Sequence, residues 1–266
     1  MATAAPIAES EDTVEPRGTT LASLGFLMMA AGPLLLIIAA VVFGLAMDDV
    51  VFFLVPIVLG LLGAFLVRQR STVAKVIAIL LAIVAFGMVF WTAFGLALPA
   101  SFFDFVPGIL LLPGALLAIG ATVASIRAAK RGVSTSSGER RAASVILAVI
   151  GLLAVASAVL TVTGRDTVPD ALADKADVVV NLEEFEFDHG GYDVPDGGTV
   201  LVKNHDPFVH NFRVDALDID VDLGPGSEKL VEIPSEPGTY VLYCEPHTSD
   251  PDHPTEDDMA SEITVG

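Results

Sequence analysis

Two periodicities divide the chain. Up to about residue 165 the apolar positions run on without a polar face. Uncharged stretches cover 18–47, 50–67, 76–103, 105–126 and 142–164. A helix needs about 20 mostly apolar residues to cross the hydrocarbon core of a bilayer. Helices of a soluble bundle keep a polar side, which these lack. The pattern predicts five transmembrane helices, near 21–47, 50–67, 76–98, 105–126 and 144–163. Pro33, Pro107 and Pro113 are expected to kink them, and Gly60 and Ala64 to let two helices approach closely. From about Asp177 the period becomes two. Phe185 and Phe187 alternate with Glu184 and Glu186. Leu217, Ile219, Val221 and Leu223 alternate with Asp218, Asp220 and Asp222. Alternation of this kind marks half-buried strands. Further strands are predicted at 177–181, 198–203, 209–214, 228–233, 238–244 and 260–265. Gly- and Pro-rich turns separate them, as at Gly224-Pro225-Gly226 and Glu236-Pro237-Gly238. About eight short strands predict an antiparallel sandwich.

The expected organisation is an acidic cytoplasmic tail (1–20), a transmembrane region (21–164), a linker (165–176) and a β domain (177–266). Charge sharpens the division. The whole chain carries a formal charge of −19. From Asp166 onward there are 25 acidic residues against Lys175, Lys203, Arg213 and Lys229. Nucleic acid is excluded as a partner, because phosphate contacts need a basic surface. The acidity suits either steering toward a basic partner or a saline environment. Arg68, Arg70 and Lys75 lie between the second and third helices. Arg127, Lys130, Arg131, Arg140 and Arg141 lie between the fourth and fifth. The loops at the other end hold only Asp48, Asp49 and Asp104. Positive loops stay in the cytoplasm. The expectation is a multi-pass protein of the cell membrane, N-terminus inside and acidic domain outside. The first apolar run is too long, and its flank too poor in bases, for a cleaved signal peptide. No ionisable residue falls within the helices as predicted, so they read as an anchor. Met28, Met29, Met47 and Met88 read as apolar packing.

The single cysteine, Cys244, admits no intramolecular disulfide. It ends a strand whose inward face carries Leu242. His247 follows three residues later, His210 precedes it by 34, and Met259 stands before the last strand. One thiolate, two imidazoles and a distant thioether form the donor set of a blue-copper centre. A soft thiolate favours Cu(I) and imidazole serves both oxidation states, so a one-electron exchange needs little rearrangement. A dinuclear copper centre would need a second cysteine. Structural zinc would show paired ligand spacing. A cysteine protease would need an oxyanion motif. His189, His205 and His253 read as turn or surface residues.

The segments Asn204–Phe212, Pro237–His247 and Glu262–Val265 resemble the cupredoxin family, small blue copper proteins such as plastocyanin, amicyanin and the halocyanins. The resemblance covers roughly 177–266. It implies a Greek-key sandwich and a mononuclear type 1 copper site with His210, Cys244 and His247 as equatorial ligands. It further implies one-electron transfer to a redox protein partner, by way of the exposed edge of His247, with no catalysis. The family places its axial Met a few residues after the second histidine. Here eleven residues separate His247 from Met259. Met259 is the expected axial ligand, with His253, Glu256 or no protein ligand as alternatives. A copper storage, delivery or sensing module, and a metal-free interaction domain, are the other readings.

Overall fold

The computed structural model describes residues 18–45, 50–131, 137–256 and 258–266. Met47, Asp48, Asp49, Asp257, Arg17 and the acidic tail lie outside the described residues. Five long helices come first: α1 (Thr19–Phe43), α2 (Val50–Val67), α3 (Thr72–Val89), α4 (Phe102–Lys130) and α5 (Ser137–Thr163). All five are long and apolar enough to cross a membrane. A 3-10 turn at Phe90–Ala97 extends α3. The bundle core packs small residues, Ala22, Ala64, Ala78, Ala82 and Ala118, around Phe26, Met29 and Leu111. Small side chains let apolar helices approach where lipid supplies no hydrophobic drive. Gly25 and Gly60 show the closeness. A Cβ on Gly25 would meet the Ala118 backbone at 2.3 Å, and one on Gly60 the Phe26 carbonyl at 2.9 Å.

The helices run past the uncharged stretches. α3 starts at Thr72, with Ser71 Oγ accepting from the Ala74 amide. Lys75 is therefore a helical residue, not a loop base as the charge pattern suggested. It is buried, and its Nζ donates to Ser125 Oγ at 2.6 Å. α4 includes Asp104 in its first turn and Arg127 and Lys130 in its last, charges that suit the helix dipole. α5 also begins ahead of its uncharged core, with Glu139, Arg140 and Arg141, of which only Glu139 suits the dipole.

A short helix, α6 (Asp170–Ala173), leads into nine strands: β1 (Val178–Glu183), β2 (Glu186–Phe187), β3 (Tyr192–Val194), β4 (Thr199–Asn204), β5 (His210–Val214), β6 (Ile219–Leu223), β7 (Glu228–Glu232), β8 (Gly238–Tyr243) and β9 (Ala260–Val265). They form two sheets, ordered β2-β1-β4-β7 and β3-β9-β8-β5-β6. Between the sheets lie Val180, Leu182, Val200, Val202, Phe212, Leu223, Leu242 and Ile263. The all-antiparallel expectation is corrected at two pairs. β1 runs parallel to β4, and β3 parallel to β9. The cause is β3, a strand missed in the sequence. The chain crosses to the other sheet there and returns, so β4 lies beside β1 in the same direction.

A second correction concerns 184–187. Glu184 and Phe185 do not continue a strand. Both have left-handed backbones, φ 56° and 64°, and form the two-residue turn joining β1 to β2. Two positive φ angles are the signature of a type I′ hairpin, whose twist matches that of the flanking strands. Non-glycine residues pay about 1 kcal/mol or more each for that conformation.

The β domain sits on the end of the bundle where α4 begins. The Val209 amide donates to Asp104 Oδ2 at 3.0 Å. Phe103 lies 6.2 Å from Phe208 and 5.5 Å from Phe43, ring centre to ring centre. After α5 the chain runs along β7, with the Glu228 amide donating to the Asp166 carbonyl at 2.8 Å.

Candidate metal centre

His210 opens β5 and Cys244 directly follows β8, so neighbouring strands deliver both to one end of the sandwich. A single 3-10 turn, Glu245–His247, then folds back and brings His247 over the sulfur. Cys244 Sγ lies 3.6 Å from His210 Nδ1 and 3.3 Å from His247 Nδ1, and the two nitrogens are 3.1 Å apart. Three electron-pair donors face a common centre, with few protons to share. Their triangle has each corner about 2 Å from its middle, the length of a metal–imidazole bond. The donor set and its size therefore fit a single soft transition-metal ion.

Electrostatics points the same way. Burial pushes the Cys244 thiol up to about 12. A thiolate is stable there only beside a positive charge. Burial, and then the neighbouring His210 ring, hold His247 down at about 3, so its imidazole is neutral, the form that ligates.

The surrounding hydrogen bonds fix the donors. His210 Nε2 is 2.8 Å from Asp206 Oδ2, which orients Nδ1 inward. Burial alone would raise the Asp206 pKa. Hydrogen bonding from His210 and from the amides of Phe185 and Glu184 outweighs it, and the carboxyl sits below the ordinary carboxylate range. The same carboxylate thus holds the strained turn, accepting from the Glu184 amide at 2.9 Å and the Phe185 amide at 3.0 Å. That turn places the Phe185 ring 4.9 Å from His247 and 5.5 Å from His210. Asn211 ties the two ligand loops together. Its amide donates to Cys244 Sγ at 3.4 Å, and its Oδ1 accepts from the Glu245 amide at 2.8 Å. Asp206, Asn211 and Phe185 were missed in the sequence. The Asn-His-Asp-Pro-Phe run before His210 was a turn signal, and nothing in it marked the carboxylate as the partner of His210.

Met259 is buried in the core beside Cys244. Its amide donates to the His247 carbonyl at 3.0 Å, and its carbonyl accepts from the Cys244 amide at 2.9 Å. The eleven-residue insert leaves this position undisturbed because its ends are closed. Asp258 accepts from the Ser249 amide and from the amide and hydroxyl of Thr255, at 2.7–2.8 Å. These bonds hold its carboxyl well below the usual range. His253 is 86% exposed and pairs loosely with Asp250, and Glu256 is exposed too. Neither joins the cluster. His205 hydrogen-bonds Asn181 at 3.1 Å, and His189 lies in an exposed turn. Among the described residues, His210, Cys244 and His247 are the one such group of potential ligands.

The family model for the cupredoxin-like domain matches residues 145–253. The chloroplast plastocyanin of Oryza sativa subsp. indica is 32% identical over 126 residues, spanning 42% of this chain and 82% of that protein. The chain belongs to the cupredoxin family. Its β domain is of the copper-binding, electron-transfer type. Solved structures include a purple cupredoxin from Nitrosopumilus maritimus, 19% identical, covering 34% of this chain and all of that one, with a TM-score of 0.27. A reduced amicyanin variant is 21% identical, covering 35% of this chain and 84% of its own, with a TM-score of 0.28. A Cu-containing nitrite reductase from Thermus scotoductus SA-01 is 23% identical, covering 38% of this chain and 27% of its own, with a TM-score of 0.26.

Proposed function

We propose that this cupredoxin is a membrane-anchored electron carrier with one type 1 copper site. His210, Cys244 and His247 would hold the ion, with Met259 as the further ligand. The metal-bearing domain would comprise 177–266, on the outer side of the cell membrane, with the N-terminus in the cytoplasm. The single observation that carries the reading is the convergence of two Nδ1 atoms and one Sγ within 4.8 Å of one another on adjacent strands.

Copper bound there would supply one-electron Cu(II)/Cu(I) exchange. The protein's part is to keep the donors still. Asp206 fixes the His210 tautomer, Asn211 locks the two ligand loops, and Phe185 packs edge-on against both rings, covering one side of His247. Rigid support lowers the rearrangement that accompanies a change of charge. The non-catalytic reading rests on the same burial: Cys244 and His210 are inaccessible to a substrate. That burial also favours a carrier over a storage or delivery module, which must exchange its ion with a partner.

Orientation is supported by where the bases fall. Arg127, Lys130, Arg140 and Arg141 lie at the end of the bundle away from the β domain, about 40 Å along α4 from Asp104. Reconstitution into vesicles followed by protease treatment tests it. Cleavage of the β domain only from the outside is expected of outward-inserted protein. Protection of that domain in such vesicles would reverse the assignment.

A further inference from the structure

We propose that the cleft between the β domain and the bundle is a binding site for the head group of a lipid-soluble quinone. The cleft has a volume of about 390 Å³, within the range of small-ligand sites of about 300–1,000 Å³. Trp91, Phe94 and Leu98, from the turn after α3, form one wall. Phe103 and Phe208 form the other. Three polar side chains also line it, Thr92, Asp104 and His247, and the Thr92 hydroxyl is already spent on the Val89 carbonyl at 2.8 Å.

Three features select the ligand class. The lining is aromatic, which suits stacking on a flat ring. Among the described residues that line it there is no lysine or arginine, so a phosphate head group finds no counter-charge there. The hydrogen-bonding groups match the two redox forms of such a ring: an imidazole N–H can donate to a quinone carbonyl, and a carboxylate oxygen can accept from the hydroxyl of the reduced quinol. His247 Nδ1 faces Cys244 and His210, and Nε2 has no hydrogen-bond partner among the described residues. Nε2 is thus the edge of the ring available to a ligand. Asp104 uses Oδ2 for Val209 and Ser101, while Oδ1 accepts no hydrogen bond among the described residues. Trp91 and Phe94 are exposed at the outer end of the helices, where a lipid-soluble molecule would enter.

The inference deepens the electron-carrier reading, since such a quinone would be its membrane-borne redox partner. Binding itself does not depend on the metal, and the test uses this. Trp91 is the only tryptophan in the chain, so indole fluorescence reports from the cleft wall. Full-length, metal-free protein in detergent is titrated with a decyl-chain benzoquinone. Saturable quenching is expected. It should persist in Cys244→Ser, so a failed copper site and a failed quinone site are distinguishable. Leu98→Phe, which fills the cleft, should weaken binding roughly tenfold. Phe94→Ala, at an exposed position the fold tolerates, should weaken it several-fold by removing a stacking surface. Only linear, unsaturable quenching, or equal protection by decanol against the quinone, would overturn the proposal.

Discussion

Asp104, in the first turn of α4, accepts the amide of Val209 at 3.0 Å, and Val209 is the residue before His210. One hydrogen bond therefore joins the apolar helices to a residue adjoining the candidate metal centre. Removing a half-buried acceptor leaves the amide unpaired at a cost of about 1–3 kcal/mol. Asp104→Ala should speed hydrogen exchange at the Val209 amide and expose the loop before it to protease. Asp104→Asn, which keeps an acceptor oxygen, should restore protection. Unchanged exchange in the alanine variant would mean that the clasp does not hold the domain.

The turn at Glu184 and Phe185 separates strain from shielding. Asparagine tolerates the left-handed region better than glutamate. Glu184→Asn should raise the melting temperature, through a gain of roughly 0.5–1 kcal/mol, and leave the copper spectrum as it is. Phe185→Gly relaxes the same backbone but strips the ring from His247. It should shift the reduction potential and admit water to the site. Equal potentials in both variants would remove the shielding role.

Met259 combines packing with proposed ligation. Met259→Ala should cost about 2–5 kcal/mol of stability, as for other buried Met deletions. The copper band should survive, with a shifted potential, because His210, Cys244 and His247 remain. A lost stability with an unmoved potential would mean that Met259 serves the core alone.

Acid should weaken the domain through Asp188. Burial raises its pKa, but Tyr192, Asn181 and the Asn181 amide together hold it below the unfolded value. A depressed folded pKa contributes stability above the unfolded pKa of about 4, and that contribution is lost as pH falls through the folded value. The group is mostly solvent-screened, so roughly 1 kcal/mol is at stake. Denaturant titrations at neutral and acid pH should show a smaller acid loss in Asp188→Asn than in the parent.

The helices were legible because hydrophobicity over twenty residues is a strong, local signal. Their ends were not, since Lys75 and Arg127 are good helix formers that extend a helix beyond its uncharged core. The donor types of His210, Cys244 and His247 were legible from spacing and chemistry together. The turn at Glu184 and Phe185 was hidden, because its strain is offset by Asp206, 21 residues away from Phe185. Asp104 and Val209, 105 residues apart, lay beyond any local pattern. Strand alternation marks which face is wet and says nothing of which strands run parallel, so β3 and its crossover escaped.

The most direct test is Cu(II) titration of the full-length protein, followed by absorption and electron paramagnetic resonance, beside Cys244→Ser. One equivalent of copper should produce an intense thiolate-to-copper charge-transfer band and a narrow copper hyperfine splitting, both absent from the serine variant. Copper bound without that band, or a band unchanged in Cys244→Ser, would contradict a site built on His210, Cys244 and His247.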